Sequence, residues 1–298
     1  MTILVLTLTV LVTVSVGTRL IRPLRELAEV VRSPNGEQAL GPVTRNDEIG
    51  HLTNAFRDLS ERRLKAENQR KAMVNDIAHE LRNPLNNIRG WLEAAEDGVT
   101  TTDRALTSSL LEEALLLQRV IDDLQDLAEA DAGALRMHIE TVPVADLLEQ
   151  TAAAQRARAE AAGVLLVTHV DKELQADVDP VRLRQAVGNL VSNAIRYSPP
   201  GEIVTLRARR AGKRLRIDVG DHGSGISPNE IPYVFDRFWR AEKSRSRQTG
   251  GSGLGLAIVR QMVRAHGGEV SVVSTPGSMT VFTIDLPVDP VTGVGPEV

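Results

Sequence analysis

The sequence predicts a multidomain protein in which an all-α N-terminal part is followed by an α/β sandwich. Apolar residues recur every seven positions across residues 64–131, as in packed helices, and strand-like runs alternate with helical stretches beyond residue 136. The β-rich runs are residues 164–170, 203–209, 214–220 and 269–274, and the helical stretches are residues 144–162, 180–196 and 254–266. A length of 298 residues has room for about two domains of ordinary size.

Charge and composition exclude several classes of function. The formal net charge of −4 argues against a nucleic-acid-binding protein, which is usually strongly basic, so we expect no nucleic-acid partner. The chain has no cysteine, which excludes disulfides, thiolate metal sites and thiol nucleophiles.

The first eighteen residues differ from the rest of the chain because residues 2–18 carry no charge and are rich in Ile, Leu and Val. Arg19, Arg22 and Arg25 follow directly, so the positive-inside rule keeps the downstream chain in the cytoplasm. A secretory signal peptide fits less well, since no basic region precedes the apolar run. We therefore expect residues 1–18 to form a single transmembrane helix in the cytoplasmic membrane, and we expect no extracytoplasmic domain in this sequence.

Residues 19–63 have the pattern of two short amphipathic helices around a turn-rich connector. The spacing of Leu20, Leu24, Leu27 and Val31 suits one seam of a coiled coil, and Pro34 lies in the connector. Two surface helices would give a similar pattern. With Pro23 in the first helix and the step Asp47-Glu48-Ile49-Gly50 opening the second, the region resembles a HAMP linker.

Residues 64–135 predict a hairpin of two longer helices, 64–98 and 103–131, with Gly98 and Asp103 marking the stop and the next start. The residues seven apart are Val74, Leu81, Ile88 and Ala95 in the first helix, and Leu110, Leu117 and Leu124 in the second. Pairing with a second hairpin would bury these stripes. The pattern therefore predicts a homodimer built around a four-helix bundle.

His79 lies opposite the apolar seam of the first long helix, so its imidazole is expected to face solvent. A lone histidine is more often a core residue or a metal ligand, but this one has no second histidine three or four residues away. Glu80 is adjacent, and a neighbouring carboxylate can hold the proton on one ring nitrogen while the other nitrogen attacks. Asn83 and Pro84 follow one turn later, and Pro84 is expected to bend the helix.

The segment Asn75–Leu85 resembles the H-box of sensor histidine kinases, His-Glu-x-x-(Asn/Thr)-Pro. The resemblance implies that His79 is the phosphoacceptor, that Glu80 is the assisting base and that Asn83 positions water for phosphatase action. It also implies a partner, a response regulator whose receiver-domain Asp takes the phosphoryl group from His79.

Three further clusters follow in the second half of the chain. Asn189 and Asn193 are four residues apart, hence on one helix face, and amide oxygens suit Mg²⁺. A single Asn on a helix is usually a solvated polar residue, but that reading fits a pair within an apolar stretch less well. Asp221 directly follows a β-rich run, where a carboxylate can accept a hydrogen bond from an exocyclic amine. The glycine-rich run 250–255 leads into a helix whose N-terminus can receive phosphates.

In this order the clusters resemble the N, G1 and G2 boxes of the GHKL ATPase domain, with an F box at residues 235–240. The resemblance implies ATP and Mg²⁺ as cofactors, with Asn189 as the Mg²⁺ ligand, Asn193 and Arg196 near the phosphates, Tyr197 beside the nucleotide and Asp221 reading adenine. The glycines implied at the nucleotide are Gly223, Gly225, Gly251, Gly253 and Gly255. Residues 223–252 would be a mobile lid, in which Arg245 and Arg247 are candidate phosphate contacts.

Two positions depart from this family's pattern. Arg196 stands where many relatives have Lys, which keeps the charge but changes its geometry. Met279 occupies a position where relatives often have Gly, which leaves open a contact between the last turn and the nucleotide. The resemblance otherwise spans residues 19–288, with the ATP-binding domain at 136–288 and a disordered tail expected at 289–298.

Two other classes of function remain as alternatives. A phosphatase-biased protein or a non-catalytic signalling scaffold would keep the dimer without net ATP turnover, but the intact Asn189, Asn193 and Asp221 argue against the scaffold. A GHKL ATPase of the chaperone or mismatch-repair type would need neither an H-box nor a HAMP-like linker. The sequence therefore favours an ATP-dependent histidine kinase.

Overall fold

The computed structural model describes residues 2–16, 25, 47–101, 103–131, 135–240 and 252–288. The chain divides into two compact units, Met1–Ile77 and Ala78–Val298. The predicted first HAMP helix, the lid arginines Arg245 and Arg247, Gly251 and the tail 289–298 lie outside the described residues.

The first unit contains helix α1 (Thr2–Val16) and the start of helix α2 (Glu48–Glu96). None of the helices within the described ranges combines the length and the apolar character needed to cross a membrane. Helix α2 begins at the predicted step, where the Gly50 amide donates to the Asp47 carboxylate at 3.0 Å. The predicted boundary at residues 63–64 is not a break between helices. The segment around it has no Gly or Pro and is rich in Arg, Glu, Lys and Leu, which favour an unbroken helix.

Helix α3 (Arg104–Asp131) completes the predicted hairpin. Gly98 adopts a φ of 69° in the turn, and the Asp103 carboxylate accepts a hydrogen bond from the Leu106 amide at 2.9 Å, so the predicted stop and start are confirmed. The Asn87 side-chain amide donates to the Glu113 carboxylate at 2.9 Å, which ties α2 to α3 across the hairpin. Helix α2 continues through Pro84 as far as Glu96.

The second unit continues as an α/β sandwich, as predicted. Its strands are β1 (Glu140–Pro143), β2 (Leu165–Val170), β3 (Gln175–Val178), β4 (Ile203–Ala211), β5 (Arg214–Asp221), β6 (Glu269–Thr275) and β7 (Met279–Pro287). Its helices are α4 (Val144–Ala161), α5 (Pro180–Tyr197) and α6 (Gly255–Ala265), with a 3₁₀ turn at Ile231–Tyr233. The main sheet has the order β2-β4-β5-β7-β6, antiparallel except for β2 and β4, while β1 and β3 form a separate antiparallel pair.

Helices α4, α5 and α6 pack on one face of the main sheet. Alternate residues of the central strands point into this layer, as the two-residue period of a strand requires. The fully buried side chains include Leu206, Leu215, Ile217, Leu190 and Ile258. Since α5 and α6 lie side by side on this sheet, their ends meet at one edge of the layer, where the predicted nucleotide clusters fall.

Candidate functional site

His79 is exposed on α2, as its position opposite the apolar seam predicts. Glu80 beside it is half-buried, Asn83 one turn later is exposed and Pro84 is buried. The imidazole is therefore accessible to a large reactant, and its adjacent carboxylate is partly withdrawn from water.

Helix α5 positions the two asparagines. Its N-terminus is capped by Asp179, whose carboxylate accepts hydrogen bonds from the amides of Val181 and Arg182, both at 3.0 Å. Burial raises the pKa of Asp179, but its backbone N–H donors outweigh that effect and hold the pKa below its ordinary value. Asn189 and Asn193 lie more than two helical turns beyond this cap, and both side chains are half-buried.

The N-terminus of α6 lies against Asn189. The Asn189 side-chain amide donates to the Gly255 carbonyl at 3.4 Å, which leaves the side-chain oxygen of Asn189 available to a ligand. Among the residues that the structure describes, no side chain caps the start of α6, so its first amides can receive an anion. The N and G2 clusters, which are far apart in sequence, thus meet at one place.

Asp221 ends β5 and is only 5% exposed. Burial raises the pKa of this carboxyl to about 6, although a hydrogen bond from the Gly223 amide at 2.9 Å and the nearby His222 act in the opposite direction. Thr280 lies directly opposite Asp221 in the β5–β7 register and is also buried. Sequence reasoning missed Thr280 because its place beside Asp221 depends on strand pairing.

Gly223 and Gly225 are required by protein packing. A Cβ at Gly223 would lie 2.4 Å from the Tyr197 carbonyl oxygen, and one at Gly225 would lie 2.6 Å from the Pro276 Cα. Gly225 also has a φ of 69°, which favours glycine. The family resemblance implies both glycines at the nucleotide, and the structure adds a packing reason for them inside the protein.

The turn between β6 and β7 is hydrogen-bonded to the loop that follows Asp221. The Gly277 amide donates to the Ser224 carbonyl at 2.9 Å, and the Ile226 amide donates to the Ser274 hydroxyl at 2.9 Å. Met279 is half-exposed and pairs with Thr275 at the start of β7. The backbone of this turn and the Ser274 side chain of β6 therefore hold the loop after Asp221 in place.

The base of the predicted lid is closed by a backbone contact. The Phe238 amide donates to the Gly253 carbonyl at 3.0 Å, and both residues have positive φ values, 59° and 69°. A Cβ at Gly253 would lie 2.8 Å from the Phe238 backbone. Before this point the loop is anchored, since Phe235 packs edge-on against Phe282 with ring centroids 6.1 Å apart. Most of the segment between these contacts, including Arg245 and Arg247, lies outside the described residues, so the lid at 223–252 stays a prediction.

Arginines converge beside the asparagines. Arg196 lies 5.5 Å from the centroid of the Tyr197 ring, in a cation–π contact. Burial lowers the pKa of Arg196, and the charges of Arg240 and Arg158 lower it further, while Tyr197 opposes them. Arg158 donates to the Ser192 hydroxyl at 2.8 Å. Arg158 was missed because it lies on α4, outside every recognised motif, and only helix packing brings it here.

Two family models match this chain. The "His Kinase A (phospho-acceptor) domain" matches residues 69–133, and the "Histidine kinase-, DNA gyrase B-, and HSP90-like ATPase" matches residues 178–290. The first match contains His79 and the hairpin, and the second contains every predicted nucleotide cluster.

Individual proteins are also similar. The signal transduction histidine-protein kinase BaeS of Escherichia coli is 35% identical over 246 residues, which cover 83% of this chain and 53% of BaeS. The structure of the Acinetobacter baumannii histidine kinase AdeS is 26% identical with a TM-score of 0.62, covering 71% of this chain and 98% of that one. The structure of full-length ShkA in complex with AMPPNP is 29% identical with a TM-score of 0.56, covering 72% of this chain and 45% of that one. The chain spans about half or less of the length of the curated relatives it matches.

Proposed function

Because this chain belongs to the two-component sensor histidine kinases, we propose that it transfers the γ-phosphoryl group of ATP to His79 and then to an Asp of a response regulator. One observation carries the proposal. An exposed histidine with an adjacent carboxylate lies on α2 of the hairpin. The second helix of the same hairpin, α3, packs against α6 at the nucleotide clusters. Acceptor and nucleotide site thus belong to one compact unit.

The residues at the meeting point of α5 and α6 fit Mg²⁺ and the phosphates. The side-chain oxygen of Asn189 can bind the ion, because the amide nitrogen of the same side chain is engaged with the Gly255 carbonyl. One protein ligand of this kind is enough, since Mg²⁺ takes few protein ligands when phosphate oxygens complete its shell. The bound ion would neutralise charge on the phosphates. Asn193, Arg196 and the open amides of α6 are proposed to hold the phosphates themselves.

At the other end of the site, we propose that the Asp221 carboxylate accepts a hydrogen bond from the adenine amine, with Thr280 beside it and Tyr197 against the nucleotide. The ligand named for ShkA, AMPPNP, supports a nucleotide as the occupant. Gly223 and Gly225 let the loop after β5 pack closely against the backbone of Tyr197 and of the turn at Pro276.

In the first transfer, a ring nitrogen of His79 forms a bond to the γ-phosphorus, the bond to the β–γ bridging oxygen breaks, and ADP leaves. Glu80 holds the proton on the other ring nitrogen and stabilises the positive charge that develops on the imidazole. In the second transfer, a carboxylate oxygen of the regulator's Asp attacks the phosphorus and the P–N bond breaks. Positioning and charge neutralisation are the main requirements of both steps.

We also propose that the protein is a homodimer attached to the cytoplasmic membrane. Leu85, Leu92, Leu111 and Leu115 leave more than half of their surface exposed on the hairpin, which supports pairing with a second copy. The apolar run 2–18, followed by three arginines, supports attachment through the N-terminal segment. Carbonate extraction of cell membranes tests the attachment. A full chain that carbonate releases into the soluble fraction would contradict it.

The test of the kinase proposal is autophosphorylation of the full chain with γ-labelled ATP and Mg²⁺, beside a His79→Ala variant. We expect an acid-labile, alkali-stable label that is absent from the variant. A label that persists in the variant would show that another residue is the acceptor.

A phosphatase role is the second candidate, and the exposed Asn83 one turn from His79 favours it. An Asn83→Ala variant should keep its own label but dephosphorylate a phosphorylated regulator more slowly. A full chain that binds ATP but takes no label would make this second activity, or a scaffold role, the better description.

A further inference from the structure

Both helices that form the phosphate end of the nucleotide site are attached to α3 of the hairpin. Helix α6 contributes Ile258 and Met262 to a small apolar cleft that it shares with Leu127 of α3, and all three side chains are almost fully buried. Helix α5 reaches α3 through polar side chains near its N-terminus. These two contacts therefore help to set the location of the phosphate end relative to the hairpin.

The polar contact, hereafter the α3–α5 clamp, consists of Asp126, Arg182 and Gln185. Arg182 Nη1 lies 2.6 Å from Asp126 Oδ1, and Gln185 Nε2 lies 2.6 Å from Asp126 Oδ2, so both carboxylate oxygens are used. Glu129, one turn beyond Asp126, lies 3.8 Å from Arg182. Arg182 and Asp126 are each only about one-fifth exposed, which sets this pair apart from an ordinary surface ion pair.

The α3–α5 clamp also sets the position of α5 along the axis of the hairpin. We take the hydrogen bond between Asn87 and Glu113 as the register of the antiparallel helices. For ideal helices, His79, eight residues farther from the turn, then lies at about the level of Ile121. Asp126 lies five residues beyond that level, about 7.5 Å along the axis at 1.5 Å per residue. The clamp is thus about one and a half turns from the level of the acceptor.

The loop that begins α6 is closer still. The Ser252 hydroxyl lies 3.5 Å from the Asp123 carboxylate, and Asp123 is about 3 Å along the axis from the level of His79. Burial raises the pKa of Asp123 to about 6, with a further increase from Asp126, in keeping with close packing at this contact. The start of α6, which we assign to the phosphates, is therefore held near the level of the acceptor histidine.

We propose that Asp126, Arg182 and Gln185 are positioning residues for autophosphorylation, which hold the phosphate end of the nucleotide site at the level of His79. The inference rests on the proposed kinase function and adds to it the contact that aligns donor and acceptor. Because a misplacement of about 1 Å can cost on the order of a hundredfold in rate, a contact that sets this alignment acts on the maximal rate. It does not touch the nucleotide, so it leaves ATP affinity unchanged.

Charge reversal tests the alignment in the full-length protein. We expect Asp126→Arg and Arg182→Asp each to lower the maximal rate of autophosphorylation at least tenfold, with the KM for ATP within twofold of wild type. The double variant, which restores an ion pair of opposite polarity, should recover to within threefold of wild type. Glu93→Arg, the same charge change at an exposed site on α2, is the control and should leave the rate unchanged.

Three results would overturn the proposal: a double variant that folds but stays as slow as the single ones, single reversals that raise the rate, or a KM that rises in step with the loss of rate. The second of these would mean that the contact opposes transfer. Absence of label in the wild-type protein would instead overturn the kinase function.

A crosslink tests the clamp independently of any activity. The chain has no cysteine, so Ala130→Cys with Gln261→Cys places one thiol on each side of the shared cleft. We expect an intramolecular disulfide whose yield falls when Asp126→Arg is added and returns in the charge-swapped background. The oxidised protein should still label His79. Loss of label on oxidation, regained on reduction, would show that this arrangement is not the transferring one.

Discussion

The hairpin and the ATP-binding sandwich differ in how much of their apolar surface is buried within the chain. In the sandwich, Leu190, Leu206 and Ile217 are fully buried within one chain, and its carboxylate Asp221 is buried with them. On the hairpin, Leu85 is 57% exposed, and His79, the proposed phosphoacceptor, is exposed too. The sandwich therefore buries its own apolar surface, whereas the hairpin leaves apolar surface and the proposed acceptor accessible to a partner.

The largest effect is expected where the hairpin lacks a core of its own. Leu85→Glu with Leu92→Glu should weaken dimerisation roughly a thousandfold, since four half-exposed leucines per dimer lose about 1 kcal/mol each. Sedimentation of the full chain measures this change, and nucleotide affinity should stay the same. Leu165→Glu changes an equally exposed leucine on the sandwich and is the control. Dissociation by that control would contradict the contrast between the two regions.

Within the sandwich, we expect the free energy of unfolding to be most sensitive to substitution of glycines. Gly225→Ala should lower the free energy of unfolding by roughly 3 kcal/mol, because an unfavourable φ adds to a clash with the 275–277 turn. Gly277→Ala has a similar φ of 72° but open space around its Cβ, so about 1 kcal/mol is expected there. Chemical denaturation measures both values. Equal losses would mean that φ alone requires glycine at these positions.

The same contrast separates what the sequence could and could not predict. Strands β2, β4, β5 and β6 and the three helices of the sandwich were predicted within one or two residues, because apolar alternation and capping residues mark them. Strand β7, which lies between β5 and β6 in the sheet, was given no range. Strands β1 and β3 were missed, since four residues with polar members carry too little pattern. The predicted helix start at residue 64 was wrong, because an unbroken helix leaves no local signal where one function passes into the next.

For the site, the sequence predicted residues that stand in motifs and missed those that arrive by packing. Asn189 and Gly255 were both predicted, but their contact depends on how α5 and α6 lie on the sheet. Thr280 reaches Asp221 through strand register, and Arg158 reaches the arginine cluster through helix packing. Such neighbours are set by tertiary structure, so no local pattern identifies them.

A pH titration of nucleotide affinity tests the proposed role of the buried Asp221 carboxylate. If the ionised Asp221 accepts a hydrogen bond from adenine, a pKa near 6 predicts that nucleotide affinity falls about tenfold more in wild type than in Asp221→Asn between pH 8 and pH 5. Calorimetric titration measures both proteins, and the nucleotide's own protonation is common to them. Identical pH profiles would contradict this role for Asp221.

The same pKa has a consequence for stability in the nucleotide-free protein. Because burial raises the pKa above the ordinary 3.8, the folded state binds more protons than the unfolded chain between about pH 4 and pH 6. The contribution of Asp221 to stability therefore rises as the pH falls through this window. Asp221→Asn should consequently stabilise the protein more at pH 7 than at pH 4, as thermal unfolding would measure.

The smallest effect is expected at Arg196, the cation proposed to lie near the phosphates. Arg196→Lys keeps that charge but loses the planar contact with Tyr197, which is worth about 0.5–1 kcal/mol at a partly exposed site. ATP affinity should fall about two- to fivefold, measured by displacement of a fluorescent nucleotide. Arg196→Ala removes the charge as well and should weaken ATP more than AMP, since only ATP carries the outer phosphates. Equal losses for the two nucleotides would place Arg196 at the ring and ribose instead, and would make it part of the buried half of the site with Asp221.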